Sequence, residues 1–367
     1  MKICFLSLSA YPTLAGMNTG YTGGAEVEQV SLAKALLTQG FDVCFVTYRH
    51  GRDRVENVNS VEVIKTYERD KAGKKHVLLK YYSIWAALEE ANADVYFHEG
   101  GSHGVIPVFC YARRKKFVYR VGSDAVVLSK TLYGNYGVFG KFIDAFEIGR
   151  ADAVLSQNMF QKRMLKERFG VDSILIKNGF DVPEVDFTKS DHPIVLWVAT
   201  LSSVKQPHLF VELAKSIPHA RFEMVGGRAV GEPQLYEEIQ AAAQKVPNLK
   251  FHGFIPYHEV NDYFRKASIF VNTSKVEGFP NTFLQAWAFR MPVLSLNVNP
   301  DGVIGGEKLG FCSKSFNQLV SDVNTLLEDK PLREEMGNNG RKYVEREHSI
   351  HEVAKKYVSI FKEIMQK

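Results

Sequence analysis

Glu277, Gly278, Phe279, Pro280, Asn281, Thr282 and Phe283, with Gln285 one turn on, hold the densest chemistry in this chain. They join a short apolar run, 269–272, to a helix expected to start near Asn281, whose side chain suits an N-cap. A helix start presents unpaired N–H groups and the positive end of a dipole. This first turn carries no charge that would repel a phosphate. A carboxylate, Glu277, lies just upstream, and a carboxamide, Gln285, lies one turn inside. Such an arrangement suits a ligand with a diphosphate in its middle and hydroxyls at both ends, the chemistry of a nucleotide sugar. Lys205 is the second centre. It closes the loop that begins at Thr200, just before a helix opened by Pro207. An ammonium there can neutralise a diphosphate as a point charge; an exposed loop lysine is the plain alternative. Arg228, after Gly226 and Gly227, could bring a second cation.

Three further loops carry polar groups. Gly23 and Gly24 precede a helix that includes Glu26, in a stretch running from Gly20 through Tyr21 and Thr22. Paired glycines let backbone amides approach a phosphate closely, although they are also common loop chemistry. The spacing is not that of a dinucleotide fingerprint. His98, Glu99, Gly100, Gly101, Ser102 and His103 invite a metal reading. With no second ligand pair elsewhere, a loop lining a cleft is the better account. Gly122, Ser123 and Asp124 end another apolar run. Asp124 is either a turn or cap residue, or an acid/base or acceptor for an incoming hydroxyl. No Asp-x-Asp occurs, so a metal bridging carboxylates and diphosphate is not expected. Cations and helix dipoles would carry the phosphate charge.

These residues need a scaffold, and its outline is periodic. Apolar runs at 3–8, 43–47, 61–64, 95–98, 117–121 and 153–156 alternate with helical patterns such as 25–37 and 83–91. A second series, 194–199, 222–225, 249–251, 269–272 and 293–296, alternates with helices at 208–216, 234–244, 258–266 and 281–290. The alternation predicts an α/β fold: parallel sheets covered by helices on both faces. At 367 residues the chain exceeds one ordinary core, so two domains are expected. The polar stretch 180–193, with Pro183 and Pro193, is the expected linker. It would divide 1–182, rejoined by the last helix at 350–365, from 183–349. With 45% apolar and 24% charged residues the chain is an ordinary globular protein. A net charge of +5 and pI near 8.8 fit an anionic ligand or surface and are too weak to argue nucleic acid. Cys4, Cys44, Cys110 and Cys312 show no CxxC spacing and read as reduced, buried thiols, as in the cytoplasm. The apolar N-terminus reads as a first strand, not a signal peptide, and no run is long enough to span a membrane.

The chain resembles the family 4 glycosyltransferases over nearly its whole length. Gly23, Gly24, Ala25 and Glu26 carry the likeness, with Ala151, Asp152, Ala153 and Val154, and with Asn178, Gly179, Phe180 and Asp181. Lys205, Gly226, Gly227 and the Glu277 segment complete it. The resemblance implies the GT-B architecture, two facing Rossmann-like domains with an interdomain cleft and a C-terminal crossover helix. It implies retaining, metal-independent transfer with no cofactor beyond the nucleotide sugar. By it, Gly23, Gly24 and Lys205 meet the donor diphosphate, with Thr200 and Arg228 nearby. The amides near Asn281, Thr282 and Phe283, after Phe279 and Pro280, hold phosphate and sugar oxygens. Glu277 lies by the transferred sugar, and the ribose position falls to Gln285. Three departures stand out. Gln285 replaces a glutamate, Thr200 an arginine, and Gly122 a histidine for which Asp124 is the nearest polar substitute.

The acceptor, a saccharide or lipid-linked saccharide, is expected at the first domain, beside Glu26 and His98. That domain also carries Arg113, Arg114, Lys115 and Lys116, and the stretch 69–80 with Lys71, Lys74, Lys75 and Lys80. With Leu78, Leu79, Tyr81, Tyr82 and Trp85 these could rest on an anionic membrane; a solvated helix and loop is the alternative. A catalytically silent sugar-nucleotide-binding partner subunit is the competing function. A nicotinamide oxidoreductase lacks its glycine turn here.

Overall fold

The computed structural model describes residues 1–17, 23–69, 77–100, 104–128, 137–184, 189–190, 192–229 and 231–367. In the helix that begins at Gly137, side chains are described from 142 on. Gly20, Tyr21, Thr22, Lys71, Lys74, Lys75, Gly101, Ser102 and His103 lie outside the described residues. The chain divides into two units. One holds Met1–Met17, Gly24–Gly179 and Ile350–Lys367, and the body of the other is Phe180–Ser349.

The first unit is built on β1 (Lys2–Leu6), β2 (Asp42–Thr47), β3 (Val55–Val58), β4 (Val61–Lys65), β5 (Val95–Glu99), β6 (Lys116–Arg120), β7 (Ala153–Ser156) and β8 (Ile174–Leu175). Its helices are α1 (Tyr11–Ala15), α2 (Gly24–Thr38), α3 (Val77–Ala91), α4 (Val105–Arg113), α5 (Asp124–Val127), α6 (Gly137–Arg150) and α7 (Met159–Phe169). The strands run in the order β3-β4-β2-β1-β5-β6-β7-β8, all parallel except β3, which pairs antiparallel with β4. Alternation along the strands feeds two cores. Ile3, Phe5, Val43 and Phe45 pack with the α2 side chains Val30 and Ala33. Cys4, Leu6, Cys44 and Val46 pack with Ile84 and Leu88 of α3 and Phe109 of α4.

The second unit has β9 (Ile194–Val198), β10 (Arg221–Val225), β11 (Leu249–Gly253), β12 (Ile269–Asn272), β13 (Val293–Ser295) and β14 (Gly310–Cys312), in the order β11-β10-β9-β12-β13-β14 and all parallel. Its helices are α8 (Pro207–Ser216), α9 (Pro233–Ala243), α10 (Tyr257–Lys266), α11 (Asn281–Ala288), α12 (Val303–Gly306), α13 (Phe316–Glu328) and α14 (Lys330–Glu347). Val195 and Trp197 face the α8 and α13 core; Leu196 and Phe270 face Phe264, Phe283 and Trp287 on the other side. Two glycines let α14 approach α11 closely. A Cβ on Gly340 would lie 2.6 Å from Trp287 Cδ1, and one on Gly337 would lie 2.2 Å from the Arg290 carbonyl oxygen.

The last helix, α15 (Ile350–Gln366), returns to the first unit, where Val353, Ala354, Tyr357 and Phe361 complete the core that Ile3 and Phe5 begin. The chain therefore passes between the units twice. The two passages are neighbours: the Phe180 amide donates to the His348 carbonyl at 2.7 Å, and Gly179 packs on Ile350.

Several expectations shift. The division falls at Gly179–Phe180, not after 182. Phe180, expected to open a linker, is 7% exposed and belongs to the second core. β3 makes the first sheet mixed, and Cys312 is only partly buried, unlike Cys4, Cys44 and Cys110. Among the described residues no helix is long and apolar enough to cross a membrane.

Candidate active site

Open parallel sheets bind ligands beyond their strands' carboxyl ends, at the point where strand order reverses. In the second unit that point lies between β9 and β12, and the loops that follow these two strands carry Lys205 and Glu277. The Lys205 ammonium is paired with Glu277 Oε1. The same oxygen accepts from Ser274 Oγ at 2.7 Å. The two loops are tied together by backbone as well. Thr273 Oγ1 donates to the Lys205 carbonyl at 2.6 Å, and the Lys275 amide donates to the Val204 carbonyl at 2.9 Å. Trp197 Nε1 donates to Thr273 Oγ1 at 2.9 Å, so a core residue of β9 fixes the hydroxyl. Ser203 is held by Glu232, its amide donating at 2.9 Å. The Leu201 amide donates to the Gly227 carbonyl at 2.9 Å, and a Cβ on Gly226 would come within 2.1 Å of the Ala199 carbonyl oxygen. Only glycine lets these chains approach so closely. A flexible lysine is thereby delivered from a firmly pinned loop. Thr200, part of that loop, is partly buried.

α11 begins at Asn281, but Asn281 is not its cap. Pro280 occupies the N-cap, with φ −66° and ψ 120°, and no side chain caps the helix. Proline's fixed φ suits this extended-to-helical entry, and its missing N–H is no loss there. The Phe283 amide donates to the Pro280 carbonyl at 3.0 Å, so this N–H is already engaged. The rings of Phe279 and Phe283 are core groups: Phe279 packs against His348 at 4.9 Å and Phe283 against Trp287 at 5.5 Å. What α11 presents at its start is therefore backbone and the side chains of Asn281 and Thr282. Gln285 is buried, and its Nε2 donates to Asn261 Oδ1 at 3.3 Å. The carboxamide oxygen is left as its acceptor. Arg228 is committed differently from a diphosphate clamp. It pairs with Glu237 at 2.5 Å and lies 4.3 Å over the Tyr236 ring, both on α9. Both members of that ion pair are more than half exposed, so the pair is weak and open to exchange.

In the first unit the strand order reverses between β1 and β5. β5 ends in His98 and Glu99, both buried. His98 Nδ1 lies 3.2 Å from the Leu6 carbonyl, so the ring is packed within the sheet end rather than open on a loop. Glu99 joins a buried network. Arg120 of β6 meets Glu99 at 3.1 Å, Glu28 of α2 at 2.7 Å and Asn178 at 2.7 Å. Gln157 donates to Glu99 at 3.2 Å. One guanidinium faces two carboxylates. Burial pushes the Glu99 carboxyl up to about 7, against the pull of Arg120 and with the help of Glu28. Glu26, in the first turn of α2, is also raised, by burial above all, with Arg69 opposing. Gly23 and Gly24 lead into that helix, Gly24 exposed at its first position.

Asp124 opens α5, one residue after its cap Ser123. Its Oδ1 accepts from Asn158 Nδ2 at 3.0 Å and from Gln161 Nε2 at 2.9 Å, both at the start of α7. Neutral amide donors thus orient the carboxylate. Gly122 sits beside Glu99, whose Cγ is 3.3 Å from where a Cβ at 122 would stand. A bulkier side chain there would press on the buried carboxylate. Among the described residues no group of three or more His, Cys, Asp or Glu is placed to hold a metal ion.

Thr273, Ser274, Trp197 and Arg120 carry no motif in the sequence. The signal that could have found the first two is the polar run Asn272, Thr273, Ser274 directly after an apolar strand.

Two family models match this chain and between them cover both units. The glycosyl transferases group 1 model matches 182–343, and the glycosyltransferase family 4 model matches 22–184. The chain belongs to the family 4 glycosyltransferases. An uncharacterised glycosyltransferase of Methanocaldococcus jannaschii is 24% identical over 336 residues, covering 88% of this chain and 90% of its own. Among solved structures, the sucrose-phosphate synthase of Thermosynechococcus elongatus superposes with a TM-score of 0.82 at 18% identity, covering 100% of this chain and 99% of its own. HepE of Anabaena, solved with UDP and glucose, superposes at 0.76 and 16% identity, covering 99% of each chain. These likenesses make the fold of this glycosyltransferase GT-B.

Proposed function

We propose that this glycosyltransferase moves a hexosyl unit from a nucleoside diphosphate sugar to a saccharide or lipid-linked acceptor in cell-surface polysaccharide or glycolipid synthesis. Transfer proceeds with retention and without a divalent metal. The observation that carries the reading is the Lys205–Glu277 pair at the β9/β12 reversal point, beside the start of α11. The UDP complexes of HepE support the donor class.

The donor's diphosphate takes the Lys205 ammonium and the amides at the start of α11, with Gly23 and Gly24, at the entry to α2, meeting it as well. Glu277 turns to the transferred sugar and Gln285 to the ribose hydroxyls. In the reaction the bond from the anomeric carbon to the diphosphate oxygen breaks, and the acceptor oxygen bonds to that carbon. The acceptor proton leaves to Asp124 or to the released diphosphate. Charge grows on the leaving diphosphate in the transition state, so Lys205 contributes most where the barrier is highest. Glu26 and His98 belong to the acceptor side.

A silent binding subunit is the second reading, favoured by Gln285 and Thr200 where the family has charges. The deciding experiment is donor turnover in EDTA after a thermal-shift screen of UDP, GDP and ADP sugars. Saturating ligand at ~100 times its dissociation constant adds about 2.7 kcal/mol. Turnover abolished by EDTA and restored by Mg²⁺ would sink the metal-free mechanism. Binding without transfer or hydrolysis would favour the silent subunit.

A further inference from the structure

Gln285 is a polar residue in an apolar setting. It is 4% exposed, and Leu284, Ala286 and Trp287 beside it on α11 are fully buried. A buried carboxamide is costly unless its groups find partners. It has two N–H donors and one acceptor oxygen to place. Nε2 donates to Asn261 Oδ1 at 3.3 Å. Oε1 has no hydrogen-bond partner among the described residues, and it is not one of the side-chain atoms sealed from solvent without one.

Asn261 comes from a firmly held element. On α10, Val260 and Phe264 are core residues, and the Phe264 ring stacks on Phe270 at 5.7 Å. Tyr263 packs edge-on against His252 at 4.7 Å, and His252 Nε2 in turn meets Glu223 at 3.1 Å. Asn261 lies between these anchors, partly buried. Asparagine is a poor helix former, and mid-helix it needs a reason. Among the described residues its side chain bonds to Gln285 alone.

The pairing matters because Gln285 stands where the family has a glutamate. A carboxylate offers an acceptor oxygen whichever way it turns. A carboxamide offers an acceptor from one end and a donor from the other, so its orientation decides what a ligand meets. With Nε2 taken by Asn261 Oδ1, the outward atom is the acceptor. The opposite arrangement, in which Asn261 donates to Oε1, would turn the amino group outward. Hydroxyls that donate favour the arrangement seen in the structure.

We propose that Asn261 is a positioning residue for nucleotide recognition. It holds the Gln285 amino group so that the carboxamide oxygen accepts from the donor's ribose hydroxyls. A pair of neutral amides thus does here what one charged side chain does in the family. The inference rests on the assignment of Gln285 to the ribose.

The test is calorimetric titration of the full chain with UDP, GDP and ADP, each against its 2′,3′-dideoxy analogue. The readout is the ratio of the two dissociation constants. A change in folding or net charge that affects both nucleotides alike leaves that ratio where it was. The native protein should prefer the ribonucleotide, and Gln285→Ala should remove the preference. Asn261→Ala should lower it about fivefold, the loss of one neutral hydrogen bond. Asn261→Asp can only accept, so it should keep the preference within about twofold. Adding Asn261→Ala to Gln285→Ala should change the ratio no further, because one residue acts through the other. Thermal unfolding of each variant checks that folding is intact. A ratio unchanged in Asn261→Ala but lost in Gln285→Ala would overturn the role of Asn261 and leave the ribose assignment standing. Asn261→Asp losing as much as Asn261→Ala would overturn the orienting role. A ratio unchanged in Gln285→Ala, or no binding of any of the three nucleotides, would overturn the assignment of Gln285 itself and this inference with it.

Discussion

Lys205 rests on a carboxylate, and that shapes how it would meet a diphosphate. Its pairing with Glu277 holds the ammonium at the reversal point when no ligand is there. A diphosphate with two negative charges can displace a single carboxylate, which Ser274 continues to hold. Arg228 leans on α9, so few cations remain for the task. Lys205→Ala should therefore weaken nucleoside diphosphate binding roughly 30- to 150-fold, the ~2–3 kcal/mol of a charge-assisted contact. Calorimetric titration measures it, and a dissociation constant within about twofold of the native one would remove Lys205 from the phosphate site. Asp124 invites a sharper distinction, because it also ties α5 to α7. Asp124→Asn sets an amide against the two donors of Asn158 and Gln161, at a cost of about 1 kcal/mol in stability. If Asp124 serves the acceptor as well, turnover should fall at least tenfold while nucleotide affinity stays put. A lower melting temperature with full turnover would leave it as a structural clamp.

At the level of elements, position comes from close backbone approach. The loops of Lys205 and Arg228 share the Gly226 contact with Ala199, and no Cβ fits there. Gly226→Ala should cost about 1–3 kcal/mol by overpacking. It should also lose nucleotide affinity, because the strain falls on the loop that delivers Lys205. Chemical denaturation and titration on one preparation check both, and stability lost without affinity would uncouple the contact from the site. The alternating apolar runs make the two sheets legible in the sequence, and with them the loops bearing Lys205 and Glu277. Other features were not legible. β3, Val55-Glu56-Asn57-Val58, is a polar edge strand whose pairing with β4 depends on tertiary contact. Asn281 looked like a cap because its side chain favours one; Pro280 took the position because its backbone already had the required φ. The Glu28–Arg120–Glu99 network joins residues far apart in sequence, and no spacing announces it. The tether from Thr273 to Lys205 is equally non-local.

The whole molecule carries a pH signature from that network. Glu99 is raised to about 7 from an ordinary value of 4.5. Between those limits the folded protein holds a proton that the unfolded chain releases. The stability linked to Glu99 is thus full below pH 4.5 and is lost as pH rises through 7. Glu56 and Glu223 run the other way. Their pKa values are lowered, first by hydrogen bonds from Lys65 and His252 respectively, and their stability is lost as pH falls. Denaturant unfolding of the native protein and Glu99→Gln at pH 5 and pH 8 isolates the first contribution. The glutamine variant should gain on the native protein as pH rises. A constant difference between them would place the titration elsewhere.

The return of α15 to the first unit has a consequence for synthesis on the ribosome. The residues that begin the first unit emerge earliest, yet its core stays open until the final helix leaves the exit tunnel. Phe180–Ser349 is continuous in the chain and can close while the first unit still waits. A stalled nascent chain in which a long unstructured linker replaces α15, so that Ser349 is clear of the exit tunnel, should therefore show a protease-resistant second half and a digestible first half. Exposed Ile3, Phe5 and Phe45 would then make the unfinished chain a client for chaperones until its last helix is added.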